Sequence, residues 1–301
     1  MNVAEGKRWG EAALLAKEIE NARFDADMLL AGVLAVARER LYLEGDRRLS
    51  AEQEAAYRSW ILRRAGHEPL QYILKEQGFM GLSFYVDERV LIPRPDSEVL
   101  VEKWLELVRS LGSTKPETQN FSVRETRKSS RILEEETDAV RVADLCTGSG
   151  ALALAMAYYC PTAKVTGTDL SAAALAVAEI NARRLGVSVE WRQGDLAEPI
   201  RGETWDYIVL NPPYVSEEEY KRCRPEIFHE PGMALLGGRD GLDFYRRLAE
   251  EKRTLLNPQG KILMEIGWDQ AEEVCGIFEK NGFQTRVFPD LSGRDRVVLA
   301  E

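Results

Sequence analysis

The sequence predicts an α/β protein: a doubly wound, mostly parallel sheet of seven strands, preceded by a small helical bundle and a β-hairpin. From residue 141 onward, short apolar strands alternate with apolar helical stretches, which is typical of doubly wound sheets. Only DLSG separates the last two strands, and so short a connection allows antiparallel neighbours but no helical crossover. We therefore expect six strands in parallel sense and a reversed last strand.

Residues 1–75 are predicted to form a helical domain. Apolar residues recur at spacings of three and four within 9–65, and Ser50 followed by Gln53 is a capping-box pattern at one helix start. Residues 76–92, EQGFMGLSFYVDERVLI, are rich in glycine and aromatic residues and alternate as strands do. We expect them to form a hairpin that links two domains.

The second domain is predicted over residues 93–301. It opens with a helix in PRPDSEVLVEKWLELVRSL, where Pro95 and Asp96 suit the first turn. Residues 112–140 are polar and contain few apolar side chains, so we interpret most of them as a flexible insertion. The strands of the sheet are expected at 141–146, 164–170, 189–195, 207–211, 260–267, 283–289 and 295–301.

Composition limits the possible classes of function. With 45% hydrophobic residues and a formal charge of −10, the chain has a globular composition without the basic surplus that neutralises nucleic-acid phosphates. The amino terminus has no apolar signal core, and no apolar run approaches about 18 residues, so we expect a cytoplasmic protein without membrane contact. Four dispersed cysteines and two histidines predict no disulfide and no metal site.

A glycine-rich turn, DLCTGSGALALAMA, follows the first strand of the sheet. Gly148 and Gly150 allow the backbone to approach a ligand, and Ala153 allows the next helix to pack closely on the strand. The spacing is formally G-x-G-x-x-A, so a dinucleotide site is one interpretation. A tight turn without any ligand is another.

Three further strands also end in polar residues. Asp169 ends the second strand, where its carboxylate suits two ribose hydroxyls, although it equally suits a helix cap. Asp195 ends the third strand, where it suits the amino group of an adenine, and Asn211 ends the fourth. Because parallel strands end at one edge of a sheet, we expect these side chains to lie around one ligand.

The segment LNPPYV fixes an asparagine and a tyrosine between rigid prolines. The lone pair of an amide or aromatic amine is delocalised, so an enzyme that alkylates it needs acceptors that hold the NH2 group in place. The side-chain carbonyl of Asn211 and the backbone carbonyl of Pro212 suit that task, Pro213 stiffens them, and Tyr214 can cover a flat group. These acceptors also stabilise the positive charge that develops on nitrogen. A rigid loop that merely ends a strand is the alternative.

These motifs resemble those of the release factor glutamine methyltransferases, which are Rossmann-like class I methyltransferases dependent on S-adenosylmethionine. Longer stretches carry the same resemblance: EPLQYILKEQGFMGLSFYVDERVLIPRPDSEVLVE at 68–102, NPPYVSEEE at 211–219 and EPGMALLGGRDGLDFYRRL from 230. The resemblance implies transfer of a methyl group to the side-chain nitrogen (N5) of the glutamine in the Gly-Gly-Gln loop of peptide chain release factors. We expect a monomer that does not contact nucleic acid.

The resemblance also implies roles for individual residues. Catalysis falls on Asn211, Pro212 and Tyr214, and substrate binding on these three residues and Pro213, with no metal. S-Adenosylmethionine, or its product S-adenosylhomocysteine, is expected to contact Asp144, Cys146, Thr147, Gly148, Ser149, Gly150, Asp169, Leu170, Asp195, Leu196 and Asn211.

Two positions depart from the family pattern. Cys146 stands where glycine is usual, so we expect the backbone there to avoid conformations open only to glycine. Leu196 stands where many relatives have an aromatic residue, and it offers apolar contact to adenine without ring stacking.

Two other functions stay open: an amino-methyltransferase acting on adenine or cytosine of nucleic acid, and a nucleotide-binding protein without catalysis.

Overall fold

The computed structural model describes residues 1–112 and 139–301. The insertion predicted at 112–140 lies almost entirely outside these residues. None of the helices within them is both long enough and apolar enough to cross a membrane. The domain boundaries proposed after residues 75 and 92 stay a prediction.

Four helices form the amino-terminal part: α1 (Val3–Leu15), α2 (Ala22–Leu34), α3 (Ala51–Ala65) and α4 (Leu70–Leu74). The predicted capping box is confirmed. The backbone N–H of Gln53 donates to Ser50 Oγ, and the backbone N–H of Ser50 donates to Gln53 Oε1. The helices surround the buried ring of Tyr57, whose hydroxyl donates to the carbonyls of Gly6 and Ala26. These bonds join α3 to both α1 and α2 at the centre of the bundle.

The hairpin consists of β1 (Gln77–Phe79) and β2 (Leu82–Phe84), which pair antiparallel. Its two turn residues, Met80 and Gly81, both have positive φ, as a tight two-residue hairpin turn requires. The pairing ends well before residue 92. The reason is a tertiary contact. The side-chain amide of Asn181 accepts from the backbone N–H of Tyr85 at 2.7 Å and donates to the Tyr85 carbonyl at 3.0 Å. The backbone of Tyr85 is therefore bonded to the helix that contains Asn181 and not to a partner strand.

Within the described residues, the carboxyl-terminal part is a seven-stranded sheet in the order β5-β4-β3-β6-β7-β9-β8. All its strands run in one sense except the last, which lies between β7 and β8 and is antiparallel to both. The predicted Rossmann-like class I methyltransferase fold, with its amino-terminal helices and hairpin, is therefore confirmed. The strands are β3 (Arg141–Leu145), β4 (Lys164–Asp169), β5 (Glu190–Gln193), β6 (Trp205–Leu210), β7 (Leu256–Glu265), β8 (Thr285–Pro289) and β9 (Asp295–Ala300).

Helices cover both faces of the sheet. They are α5 (Glu98–Gly112), α6 (Ala151–Tyr159), α7 (Ala172–Leu185), the short α8 (Glu217–Tyr220), α9 (Asp243–Glu251) and α10 (Ala271–Lys280). Alternate residues of each central strand enter different cores: Val209 packs with Trp104 of α5, whereas Ile208 packs with Tyr245 of α9. The chain crosses from one half of the sheet to the other between β5 and β6, so the ends of β3 and β6 lie side by side. Ligand crevices of open α/β sheets form at such a reversal of strand order.

Candidate functional site

The glycine-rich turn is braced from below by a buried carboxyl group. Asp144 is fully buried, and its Oδ2 accepts from Thr147 Oγ1 at 2.5 Å and from the Ala153 amide at 3.2 Å. These bonds tie the turn to the first turn of α6. Burial raises the pKa of Asp144 to about 7. Asp144 therefore supports the turn and lines neither of the cavities described below.

The pH dependence of stability should reveal this buried carboxyl. Because its folded pKa is raised, Asp144 contributes stability at low pH and loses that contribution as pH rises from about 4 towards 7. We expect Asp144→Asn to remove a slope of at most about 1.4 kcal/mol per pH unit from the free energy of unfolding in that window. Denaturant titrations of both proteins between pH 4 and 8 measure the difference. If the free energy of unfolding changed with pH in the same way in both proteins, Asp144 would not titrate between pH 4 and 8.

Cys146 occupies the start of the turn with φ +59°. This left-handed conformation is favoured by glycine but is open to other residues. A left-handed conformation costs a residue with a Cβ about 1–2 kcal/mol, and the surrounding bonds hold it there: the next amide, of Thr147, donates to the Thr168 carbonyl at 2.9 Å. The half-buried thiol faces the ligand cleft, and burial raises its pKa.

Asp169 closes the turn from the neighbouring strand. Its Oδ2 accepts from the Gly148 amide and its Oδ1 from the Ser171 amide, both at 2.8 Å. Burial raises the pKa of Asp169 against these two bonds. The cap of α7 is Ser171, whose Oγ accepts from the Ala174 amide at 3.2 Å, so Asp169 is not itself that cap. Each carboxylate oxygen keeps capacity for a further donor from the cleft.

Gly148 and Gly150 serve the turn in different ways. Gly148 has φ +55°, and a Cβ built there would meet no atom within 4 Å, so this side of the turn is open to a ligand. Gly150 has φ +79°, and a Cβ there would lie 3.0 Å from the ring of Trp191. The first glycine is thus exposed to the cleft and the second is needed for packing.

The polar strand ends meet in one cleft with a cavity volume of about 210 Å³. A smaller cavity adjoins it and contains Thr147 and Ser149, and Asn211 lines both. Four predicted site residues line neither cavity: Asp144, Gly150, Pro212 and Tyr214. The predicted residues that line the larger cleft are Cys146, Gly148, Asp169, Leu170, Asp195, Leu196, Asn211 and Pro213.

Helix α9 adds two side chains to the cleft that were not predicted. Arg247 donates to Asp195 Oδ2 at 2.7 Å, and Phe244 lies beside it with its ring 5.6 Å from the guanidinium. The two positions are three apart on one helix and therefore face the same side. Phe244 places an aromatic ring in the cleft that Leu196 lacks. Both lie in the stretch from 230 that carries the family resemblance, but only packing brings Arg247 to Asp195, some fifty residues away in sequence.

The loop after β6 is held in place by residues 235–241 and by Gln270. Gln270 Nε2 donates to the Tyr214 carbonyl at 3.0 Å, and the Val215 amide donates to the Leu235 carbonyl at 2.9 Å. A Cβ at Gly241 would lie 2.2 Å from the Tyr214 carbonyl oxygen, so only glycine allows this approach. Asn211 Nδ2 donates to Ser97 Oγ at 3.1 Å, which leaves its carbonyl oxygen for another partner.

A rim segment, defined here as residues 224–234, connects the cleft with the helical bundle. Pro231, Met233 and Ala234 of this segment line the cleft. At its other end, Arg64 of α3 donates to Glu226 Oε1 at 3.0 Å and, through Nε, to the buried Asp25 Oδ2 at 2.7 Å. One guanidinium therefore joins the core of the bundle to the rim of the cleft.

Comparison with known proteins agrees with this geometry. Residues 7–74 match the family model of the PrmC N-terminal domain, and residues 115–239 match that of the Methyltransferase small domain. The release factor glutamine methyltransferase of Geobacter sulfurreducens is 39% identical over 292 residues, covering 96% of this chain and 93% of that protein. The protein of the same name from Moorella thermoacetica is 38% identical, with coverage of 97% and 96%. The chain belongs to the release factor glutamine methyltransferase family.

Proposed function

We propose that this protein transfers a methyl group from S-adenosylmethionine to the side-chain nitrogen (N5) of the glutamine in the Gly-Gly-Gln loop of peptide chain release factors. The observation that carries the proposal is the position of Asn211, which lines both the cleft at the strand ends and the adjoining cavity. A substrate amide held by Asn211 would therefore meet a cofactor in the cleft. Family membership supports the same activity.

The residues of the cleft fit S-adenosylmethionine. Gly148 leaves the turn open, and the Asp169 carboxylate keeps acceptor capacity for ribose hydroxyls. Asp195, Leu196 and Phe244 surround the space beside it, where an adenine would find apolar contact and an acceptor for its amino group. When bound, the cofactor supplies an electrophilic methyl group on a positively charged sulfonium, which nearby carboxylates favour.

The loop after β6 would position the substrate. Asn211 Oδ1 and the Pro212 carbonyl can each accept one hydrogen of a planar NH2 group, which directs the nitrogen lone pair towards the methyl group. The loop would thus present the amide to the methyl group of a bound cofactor, whose S–CH3 bond would be exchanged for an N–CH3 bond, and the nitrogen would lose its extra proton to water. The two acceptors stabilise the charge that develops on nitrogen, so no side chain needs to act as a base.

The direct test uses labelled S-adenosylmethionine and a purified release factor, with the label located by peptide mass spectrometry. We expect label on the glutamine of the Gly-Gly-Gln loop and none on a release factor in which that glutamine is alanine or glutamate. Purified transfer RNA and DNA are offered in parallel reactions. Label in nucleic acid and none in the release factor would refute the proposal in favour of an amino-methyltransferase of nucleic acid.

Cofactor binding should depend on Asp169. Asp169→Ala removes charge-assisted hydrogen bonds worth roughly 1.5–3 kcal/mol, so we expect the Kd for S-adenosylmethionine to rise about ten- to hundred-fold. Calorimetry measures the Kd, and the exposed Asp269→Ala serves as the control that leaves it unchanged. Neither the unaltered protein nor the two variants should bind NAD. Binding of NAD without binding of S-adenosylmethionine would contradict this assignment of the cleft.

The helical bundle should contribute to recognition of the intact release factor. Exposed Leu15, Phe24 and Tyr42 border one shallow depression on its surface, and exposed apolar side chains of this kind serve protein contacts. We expect Phe24→Ser to raise KM for the intact release factor about ten-fold without changing turnover of a Gly-Gly-Gln peptide. Leu62→Ser is the control, since Leu62 is exposed but lies outside the depression. Equal effects on both substrates would indicate a purely structural bundle.

A further inference from the structure

Two segments without an α-helix or a β-strand form part of the wall of the cleft. One is the entrance segment, defined here as residues 89–94, and the other is the rim segment, which contains only short 3-10 turns. Six residues that line the cleft belong to them: Arg89, Val90, Leu91, Pro231, Met233 and Ala234. Because neither segment has the regular backbone bonds of a helix or sheet, side chains must hold them in place.

The buried carboxylate of Glu230 joins these two segments. Glu230 is only 5% exposed, and its Oε2 accepts from the backbone N–H of Ile92 at 3.0 Å. Its Oε1 accepts from the guanidinium of Arg94. Among the described residues, no backbone-to-backbone hydrogen bond joins the entrance segment to the rim segment. The hydrogen bonds between them are therefore those of Glu230.

These bonds lie directly beside the cleft. Ile92 follows Leu91 in the chain, and Glu230 precedes Pro231, so each bonded residue is the neighbour of a residue that lines the cleft. Neighbouring Cα atoms are about 3.8 Å apart, so a separation of Ile92 from Glu230 would carry Leu91 and Pro231 with it. Glu230 thus holds two parts of the wall at a fixed distance from each other.

The size of the cleft gives this contact a function. Its cavity volume of about 210 Å³ is smaller than the roughly 300–1,000 Å³ typical of small-molecule sites. A ligand as large as S-adenosylmethionine therefore requires walls that can move apart. Helices α7 and α9 form other parts of the wall and are held by their own backbone bonds, whereas irregular segments open at a lower cost in free energy. The entrance and rim segments are accordingly the parts of the wall suited to this movement.

An ion pair suits a contact that must both fix a geometry and open. A buried ion pair contributes little net stability, because the desolvation of its charges offsets their attraction, but its hydrogen bonds specify one arrangement. The side chain of Arg94 is 33% exposed, so water reaches this pair as soon as the segments separate. Solvation of both charges then lowers the cost of opening.

We propose that Glu230 is a positioning residue that holds the entrance and rim segments against each other and thereby determines how fast the cleft exchanges its ligand. The identity of that ligand, S-adenosylmethionine, rests on the proposed function, whereas the contact between the segments does not. The bonds of Glu230 join protein groups only, so they favour the closed arrangement equally with and without ligand. Their loss should therefore raise the rate constants of association and dissociation together and change the Kd little.

The kinetic test is stopped-flow binding of S-adenosylhomocysteine to the unaltered protein, Glu230→Gln and Arg94→Met. We expect each substitution to raise both rate constants about ten-fold, because one charge-assisted hydrogen bond is lost, while the Kd changes less than about three-fold. The double substitution should be no faster than either single one, since both remove the same bond. Arg94→Lys should restore most of the original rates.

A matched control comes from the same segment. Arg224→Met removes an exposed ion pair between the rim segment and Glu20, and it should leave both rate constants unchanged. A purely structural role for Glu230 would instead distort the site, so that dissociation accelerates alone and the Kd rises in proportion. That result would overturn the proposal.

Hydrogen exchange without any ligand tests the contact itself. The backbone N–H of Ile92 should exchange at least about ten-fold faster in Glu230→Ala, because its acceptor is gone. The backbone N–H of Val215, which donates to the Leu235 carbonyl beside the rim segment, should exchange at the same rate in both proteins. Failure of the unaltered protein to bind S-adenosylhomocysteine would refute the proposed function alone. Unchanged exchange at Ile92, or unchanged rate constants in a protein that binds the ligand, would overturn the role of Glu230.

Discussion

Asn211→Ala is expected to reduce kcat for release factor methylation by about 10²–10³, while the Kd for S-adenosylmethionine rises little. The reason is that one of two acceptors for the target NH2 group is removed, and loss of one preorganised hydrogen-bonding group at a reacting centre typically has this effect. Single-turnover kinetics with saturating cofactor measure the chemical step directly. Asn281→Ala, at the end of α10 and in neither cavity, is the control.

Substitutions that preserve part of the geometry sharpen this test. Asn211→Asp keeps the shape but adds a charge that must be desolvated beside the substrate, so it should also be poor. Tyr214→Phe should reduce turnover only slightly because the ring remains. Tyr214→Ala should reduce turnover and raise KM for the substrate. Normal turnover by Asn211→Ala, with the methyl group still on the glutamine nitrogen, would rule out the proposed mechanism.

Arg64→Ala should destabilise the protein by about 3–5 kcal/mol, because it leaves the buried carboxylate of Asp25 without its partner. Burial already raises the pKa of Asp25, and the Arg64 hydrogen bond opposes that rise. Without Arg64 the folded pKa should rise further. Stability from this group is lost as pH rises through the folded pKa, so the deficit should be greater at pH 8 than at pH 5.

Equilibrium unfolding in urea at both pH values measures this deficit. Arg40→Ala, which removes an exposed ion pair with Glu44 in the same bundle, should leave the unfolding midpoint nearly unchanged. A double substitution, Arg64→Met with Asp25→Leu, should recover much of the lost stability, since it removes the stranded charge together with its partner. Similar midpoints for Arg64→Ala and Arg40→Ala would show that the buried pair contributes little.

Much of the fold could be predicted because its signals are local. The alternation of apolar strands and helices identified the seven strands, and DLSG predicted an antiparallel final pair. Strand order is set by packing between distant elements, so it could not be read from the chain. The residue at which the strand pairing of the hairpin ends could not be predicted for the same reason: Asn181, about a hundred residues away, binds the backbone of Tyr85.

The candidate site likewise contains residues that the local sequence predicted and residues that only tertiary packing brings in. Asp169 and Asn211 were predicted from their places at strand ends, and the structure brings them to one cleft, although their roles stay proposals. Ser97, Phe244 and Arg247 lie in stretches that carry the family resemblance, but their contacts with the site depend on packing between distant elements, which the sequence does not show. The left-handed backbone of Cys146 escaped prediction because closure of the turn overrides the preference of a single residue.

The guanidinium of Arg64 has a thermodynamic consequence for the whole molecule. It bonds both to the core of the bundle and to the rim segment. Every described residue that lines the cleft is Arg89 or a later residue, so none of them belongs to the bundle. A ligand that holds the rim in place therefore also opposes opening of helices it never touches. Such coupling is reciprocal, so a partner that braces the bundle from outside tightens binding in the cleft by the same free energy. A protein substrate and a small cofactor would thereby assist each other's binding without direct contact.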